Sequence, residues 1–151
     1  MGLIGEVGTG SVALDTAIFI DLIEENRQYL PEIVPLFREA DDGKRELVTS
    51  ALTLLEVLVV PYRAGNRWLA EQYEALLTRS RGIHVVDVSR DQLRAAAQLC
   101  AATGVTTPDA LQLVAAISRG CTTFVTNDRR LPPIPGLKVL HPRARRTKGD
   151  R

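Results

Sequence analysis

Short apolar runs alternate with longer amphipathic stretches along the chain. The runs are SVALD (residues 11–15), ELVTS (46–50), IHVVDV (83–88), CTTFVTN (121–127) and LKVL (137–140). Each is short and apolar, which predicts buried strands. Between them, apolar residues recur at three and four, the spacing of one helix face. TAIFIDLIEEN does so with Ile18, Leu22 and Ile23, and Thr16 is its expected cap. LPEIVPLFREADDG has Pro31 near its start and Gly43 beyond its end. LTLLEVLVVPYRAG reads as a helix through Leu54, Leu55, Leu58 and Val59, although Val57, Val59 and Val60 also suit a strand. NRWLAEQYEALLTRSRG starts at a capping Asn66 and stops before Gly82. SRDQLRAAAQLCAATG opens on the capping box Ser89 and Gln92 and closes at Gly104. TPDALQLVAAISRG carries Thr107 at the cap, Pro108 at the first position and Gly120 at the end.

Strands joined by helices, with connections too long for hairpins, predict an α/β fold whose mainly parallel sheet is covered on both faces. Ligands of such sheets bind outside the carboxyl ends of the strands. The chain contains no internal repeat and no interdomain linker, so residues 11–141 are expected to form one domain. Residues 1–10 are glycine-rich and expected to be loose. The segment 142–151, HPRARRTKGDR less its histidine, is basic and expected to be disordered, with RNA binding as its alternative role.

Composition narrows the class of function. With 19 Lys and Arg against 18 Asp and Glu, the net charge of +1 gives no global attraction to nucleic acid or acidic membrane. Cys100 and Cys121 form no CxxC and are expected to be small buried residues in a reducing cytoplasm. Neither a signal peptide nor a membrane helix is expected. His84 and His141 have no partner motif and are expected to be structural or exposed. Trp68 and Tyr73 are expected in the core, with a partner groove as the alternative.

The chemistry lies in the acids. Asp15 ends the first strand, and Asp128 follows the fourth, so both are expected at one rim of the sheet. Asp109 sits in the first turn of its helix, where the dipole favours a carboxylate. Glu56 interrupts an otherwise apolar helix. Singly, each has another role open to it: a cap for Asp15, dipole complementation for Asp109, a turn for Asp128, an ion pair or a solvent position for Glu56. Jointly they predict a cluster whose mutual repulsion a divalent cation would relieve. Hard oxygen ligands without a His or Cys set favour Mg²⁺ or Mn²⁺ over zinc. Such a site activates water and clamps a phosphate.

VALDTAIFIDLI around Asp15, TSALTLLEVL around Glu56, TPDALQLVAA around Asp109 and FVTNDRRL around Asp128 together resemble a PIN-domain nuclease, in particular the VapC-type toxins of toxin–antitoxin pairs. The resemblance runs from about Ser11 to Leu140. It implies a three-layer α/β/α sandwich and Mg²⁺- or Mn²⁺-dependent cleavage of RNA. Asp15, Glu56, Asp109 and Asp128 would form the catalytic and metal-binding cluster, with Thr126 and Asn127 in support. It further implies a homodimer and a small cognate antitoxin covering the site. Many members carry Asn or Ser two positions after the first Asp, where this chain has Ala17, so one supporting hydrogen bond is expected to be missing. Arg129 and Arg130 follow Asp128 and are the nearest candidates to guide RNA in.

Other readings compete. An aspartate-nucleophile phosphohydrolase would want a second acid where Ala17 stands, and a phospho-receiver would need an early acid pair that this chain lacks. A degenerate fold acting only as an interaction module is the third.

Overall fold

The computed structural model describes residues 2–145, so residues 146–151 of the basic tail lie outside the described residues. Twelve elements follow one another: α1 (Leu3–Glu6), β1 (Val12–Leu14), α2 (Thr16–Ile23), α3 (Leu30–Asp41), β2 (Leu47–Ser50), α4 (Leu52–Arg63), α5 (Arg67–Arg79), β3 (Ile83–Val86), α6 (Arg90–Thr103), α7 (Thr107–Ser118), β4 (Thr123–Val125) and β5 (Lys138–Leu140). The strands make one parallel sheet in the order β3-β2-β1-β4-β5. This is the expected α/β architecture.

Alternation along each strand creates the layers. Val12, Leu14, Leu47 and Val125 point into a core shared with α1 to α5, where Phe19, Ile33, Leu36 and Tyr73 are buried. Ala13, Val48 and Phe124 point the other way, onto Leu113, Ala116 and the rest of the α6–α7 core. Strands buried on both faces need apolar residues at every position, which is why they read as runs and not as alternating patterns.

Caps fall close to their sequence signals. Asn66 accepts from the Leu69 amide at 3.1 Å and Ser89 from the Gln92 amide at 3.1 Å. Gly104 ends α6 with φ 77°, where a side chain would be strained. Two assignments shift by one residue. Asp15, not Thr16, caps α2, and Thr106, not Thr107, precedes α7.

Helix α4 turns a different face inward from the one its leucines suggest. Thr53, Val57, Leu58 and Pro61 are buried, whereas Leu55 is 62 % exposed, Val60 63 % and Tyr62 61 %. An almost wholly apolar helix has no face that periodicity can single out, so the neighbours decide. Trp68 departs from its expected core position at 71 % exposed, while Tyr73 occupies the core.

Residues 3–7, expected to be loose, are packed. Leu3 and Val7 are buried, and the Leu3 amide donates to the buried Glu32 Oε2 at 2.8 Å. The Arg45 guanidinium holds the following loop, donating to the carbonyls of Gly8 at 2.6 Å and Gly10 at 2.8 Å, and to Glu39 at 2.7 Å. A glycine-rich composition hides these anchors because they come from α3 and the approach to β2. Replacing Leu3 by Ala is expected to cost about 2 kcal/mol in urea unfolding, the low end for a buried leucine, since a chain end relaxes more easily. Stability within about 0.5 kcal/mol of wild type would mean that this helix is not docked in solution.

Candidate active site

The strand order reverses between β1 and β4, which makes their carboxyl ends the switch point of the sheet. Leu14 pairs with Val125, so the next residues, Asp15 and Thr126, leave the sheet side by side. The Asp15 amide donates to the Val125 carbonyl at 3.2 Å. Asp15 then caps α2: its Oδ1 accepts from the Ala17 amide at 3.1 Å, and its Oδ2 accepts from the Thr126 hydroxyl. The backbone of residue 17 therefore serves Asp15, and its methyl adds no polar group.

Thr126 also reaches Asp128, whose amide donates to the same hydroxyl oxygen at 3.0 Å. One threonine thus ties the end of β1 to the β4–β5 loop. The Asp128 carboxylate folds back on that loop, with Oδ1 accepting from the Arg130 amide at 2.9 Å and the Arg130 Nε at 3.2 Å. These two bonds, the backbone one foremost, hold the Asp128 carboxyl below its ordinary range. Asn127 turns inward and donates to Asp21 Oδ2 at 3.0 Å. Asp109, in the first turn of α7, lines an open groove of about 360 Å³ with Asp128, Arg130 and Thr106. Glu56 stands apart on the exposed side of α4, its Oε1 accepting from the Thr16 hydroxyl at 2.8 Å.

Burial dominates the electrostatics. Desolvation pushes the Asp15 carboxyl up from 3.8 to about 6, against the hydrogen bonds from Thr126 and Ala17, and the charge of Asp109 adds to the rise. Among the described residues, however, no three Asp, Glu, His or Cys side chains are drawn together tightly enough to hold a metal ion as they stand. Asp128 is turned to Arg130 and Glu56 to Thr16. In kind the donors suit Mg²⁺ or Mn²⁺, being carboxylate oxygens.

Several polar residues escaped the sequence reading. Asp21 is 9 % exposed and accepts from both Asn127 and Asn26. Beneath the site, Thr16, Thr49, Thr53 and the Ser50 amide converge on Gln112, a buried amide one turn after Asp109. The signal was present: Gln112 is the one polar side chain in the run ALQLVAA. Arg129 is exposed. His141 is structural, its Nδ1 bonded to the Thr126 carbonyl at 2.8 Å. Cys121 is buried and Cys100 partly so, and both are free thiols.

Asp15 and Thr126 thus stand at the switch point of a parallel sheet that lies between two helical layers. Residues 12–137 match the PIN domain family model, and the chain belongs to the PIN-domain family, whose members are nucleases that generally use divalent metal ions. Among solved structures it is similar to a chain of VapBC2 from Rickettsia felis, bound to a DNA fragment from their promoter, with TM-score 0.65 and 18 % identity over 87 % of this chain and 98 % of that one. It is also similar to a chain of a toxin–antitoxin complex from Klebsiella pneumoniae, with TM-score 0.60 and 20 % identity over 85 % and 95 %. A search of curated proteins gives no match. Among the described residues no helix is long and apolar enough to cross a membrane.

Proposed function

We propose that this protein is a Mg²⁺- or Mn²⁺-dependent endoribonuclease and the toxin of a type II toxin–antitoxin pair. The observation that carries the reading is the partly buried Asp15 carboxyl at the switch point, joined to Asp128 through Thr126. Asp15, Asp109 and Asp128 would hold the cation, with Glu56 completing the set from α4. The chemistry supplied by bound Mg²⁺ or Mn²⁺ is activation of water and neutralisation of charge on the scissile phosphate. Thr126 keeps Asp15 aimed at the rim by donating to it. Arg130 would leave Asp128 for a phosphate oxygen, since an exposed guanidinium exchanges one anion for another at little cost. The scheme uses no 2′-hydroxyl nucleophile.

A protein partner and a second copy of the chain fit the exposed apolar residues of α4 and α5, where Leu55, Val60, Tyr62 and Trp68 are each more than half exposed. Both structural neighbours named above come from toxin–antitoxin assemblies, which favours a small antitoxin as one occupant.

Purified protein incubated with RNA pools is expected to cut them in Mg²⁺ or Mn²⁺ and not after chelation. No cleavage under either metal, despite measurable Mn²⁺ binding, would favour a degenerate interaction module. The unassembled carboxylates are the observation on that module's side. Arg130→Ala is expected to weaken RNA binding and to flatten the slope of log affinity against log salt by about 0.7, the share of one phosphate contact on a single strand. An unchanged salt slope would remove Arg130 from the RNA path.

A further inference from the structure

Gln112 lies on the buried side of α7, 5 % exposed. Its Oε1 accepts from the Ser50 amide at 3.1 Å and from the Thr49 hydroxyl at 3.2 Å. Its Nε2 donates to Thr53 Oγ1 at 2.8 Å and to Thr16 Oγ1 at 3.3 Å. All four capacities of the amide are used. The amide cannot be flipped, because the Ser50 N–H can only donate and so demands the oxygen.

That orientation dictates where the hydroxyl protons go. Thr16 has one proton, given to Glu56 Oε1 at 2.8 Å, so it must receive from Gln112. Thr49 gives its proton to Gln112 Oε1. Thr53 receives from Gln112 and directs its own proton to Thr49 at 2.8 Å or Thr16 at 3.1 Å. The Thr49 and Thr53 protons are thereby kept among the buried groups, and Thr16 is left to donate outward to the Glu56 carboxylate. The network joins β2, α2, α4 and α7, the elements that carry or flank Asp15, Glu56 and Asp109. Its arrangement exceeds what packing requires, since an apolar side chain would fill the same space.

We infer that Gln112 is a positioning residue for the acidic site: it forces Thr16 to act as a donor and thereby fixes the Glu56 carboxylate relative to Asp15. The inference rests on the nuclease reading above. Groups that orient metal-binding side chains contribute about 10–100-fold to metal affinity or activity when removed.

Gln112→Glu keeps the size and the two acceptor contacts but replaces the donor by a second acceptor. Thr16 and Thr53 must then turn their protons toward residue 112, and Glu56 is released. Mn²⁺ affinity and kcat on RNA are each expected to fall by about tenfold or more, with KM for RNA and the far-ultraviolet spectrum unchanged. Thr16→Val cuts the same path at its outer end without touching the buried amide's oxygen. It should give the same loss, and the double variant should be no worse than the poorer single one. A folded Gln112→Glu protein with wild-type Mn²⁺ affinity and kcat overturns the inference. Additive losses do so as well, because Gln112 would then act by some route other than Thr16. Should Gln112→Glu not fold, wild-type behaviour of Thr16→Val alone is sufficient to reject it. Wild-type protein that neither binds Mn²⁺ nor cuts RNA rejects the nuclease reading itself, and this inference with it.

Discussion

Asp15→Asn is expected to abolish Mn²⁺ binding and RNA cleavage while making the metal-free protein more stable. The loss in cleavage should reach on the order of 10²–10³-fold or more, the scale of removing one preorganised electrostatic group. The gain in stability follows from the raised carboxyl. Asp15 binds its proton more tightly in the folded chain than in the unfolded one, its pKa standing at about 6 instead of 3.8. Between those values the folded state holds more protons, so stability falls as pH rises through the window and the full penalty is present above it. The rise corresponds to on the order of 3 kcal/mol at pH 7. Asparagine removes the charge and keeps an oxygen for the Ala17 amide, while its amide nitrogen, in place of Oδ2, must donate to the Thr126 hydroxyl oxygen instead of accepting from it, so part of that penalty should be recovered as a higher Tm at pH 7. At pH 4 the two proteins should differ little. Equal Tm values at pH 7 would mean that the Asp15 carboxylate is better solvated than its burial implies. Intact Mn²⁺-dependent cleavage by the variant would refute the active-site assignment.

Gly82→Ala should be the most damaging single methyl in the described chain. Gly82 enters β3 with φ 80°, and a Cβ there would stand 2.4 Å from the Ala40 carbonyl oxygen and 2.8 Å from its carbon. The obstacle is backbone at the end of α3, which cannot swing aside as a side chain would. A left-handed alanine costs roughly 1–2 kcal/mol and an overpacked contact a further 1–3. Gly104→Ala is the matched control. It has φ 77° and nothing within 4 Å of the added carbon, so only the conformational cost applies. Unfolding free energies from urea titration should therefore separate the two variants by at least about 1 kcal/mol, Gly82→Ala being the lower. Equal losses would show that α3 yields at Ala40.

Much of the fold was legible in the residue pattern. The five strands, the long helices and the parallel sheet follow from apolar runs bounded by Asn66, Ser89, Gly104 and Gly120, because caps and periodicity are local properties of the chain. Where a segment's signal was ambiguous, local reading was insufficient. The apolar α4 could not announce that Leu55 and Tyr62 face solvent, nor the glycine-rich start that Leu3 is buried against α3.

The candidate site divides in the same way. The residue types, and the rim on which Asp15 and Asp128 emerge, were set by the chain itself, since a residue that ends a parallel strand has only one rim available. What brought Asp15 beside Thr126 was the pairing of β1 with β4, residues more than a hundred positions apart, which no local rule specifies. Tertiary packing alone partly buried Asp15, turned Asp128 to Arg130 and Glu56 to Thr16, and gave Gln112 its four partners. Those are consequences of desolvation and hydrogen-bond satisfaction, and both depend on what the rest of the molecule places nearby.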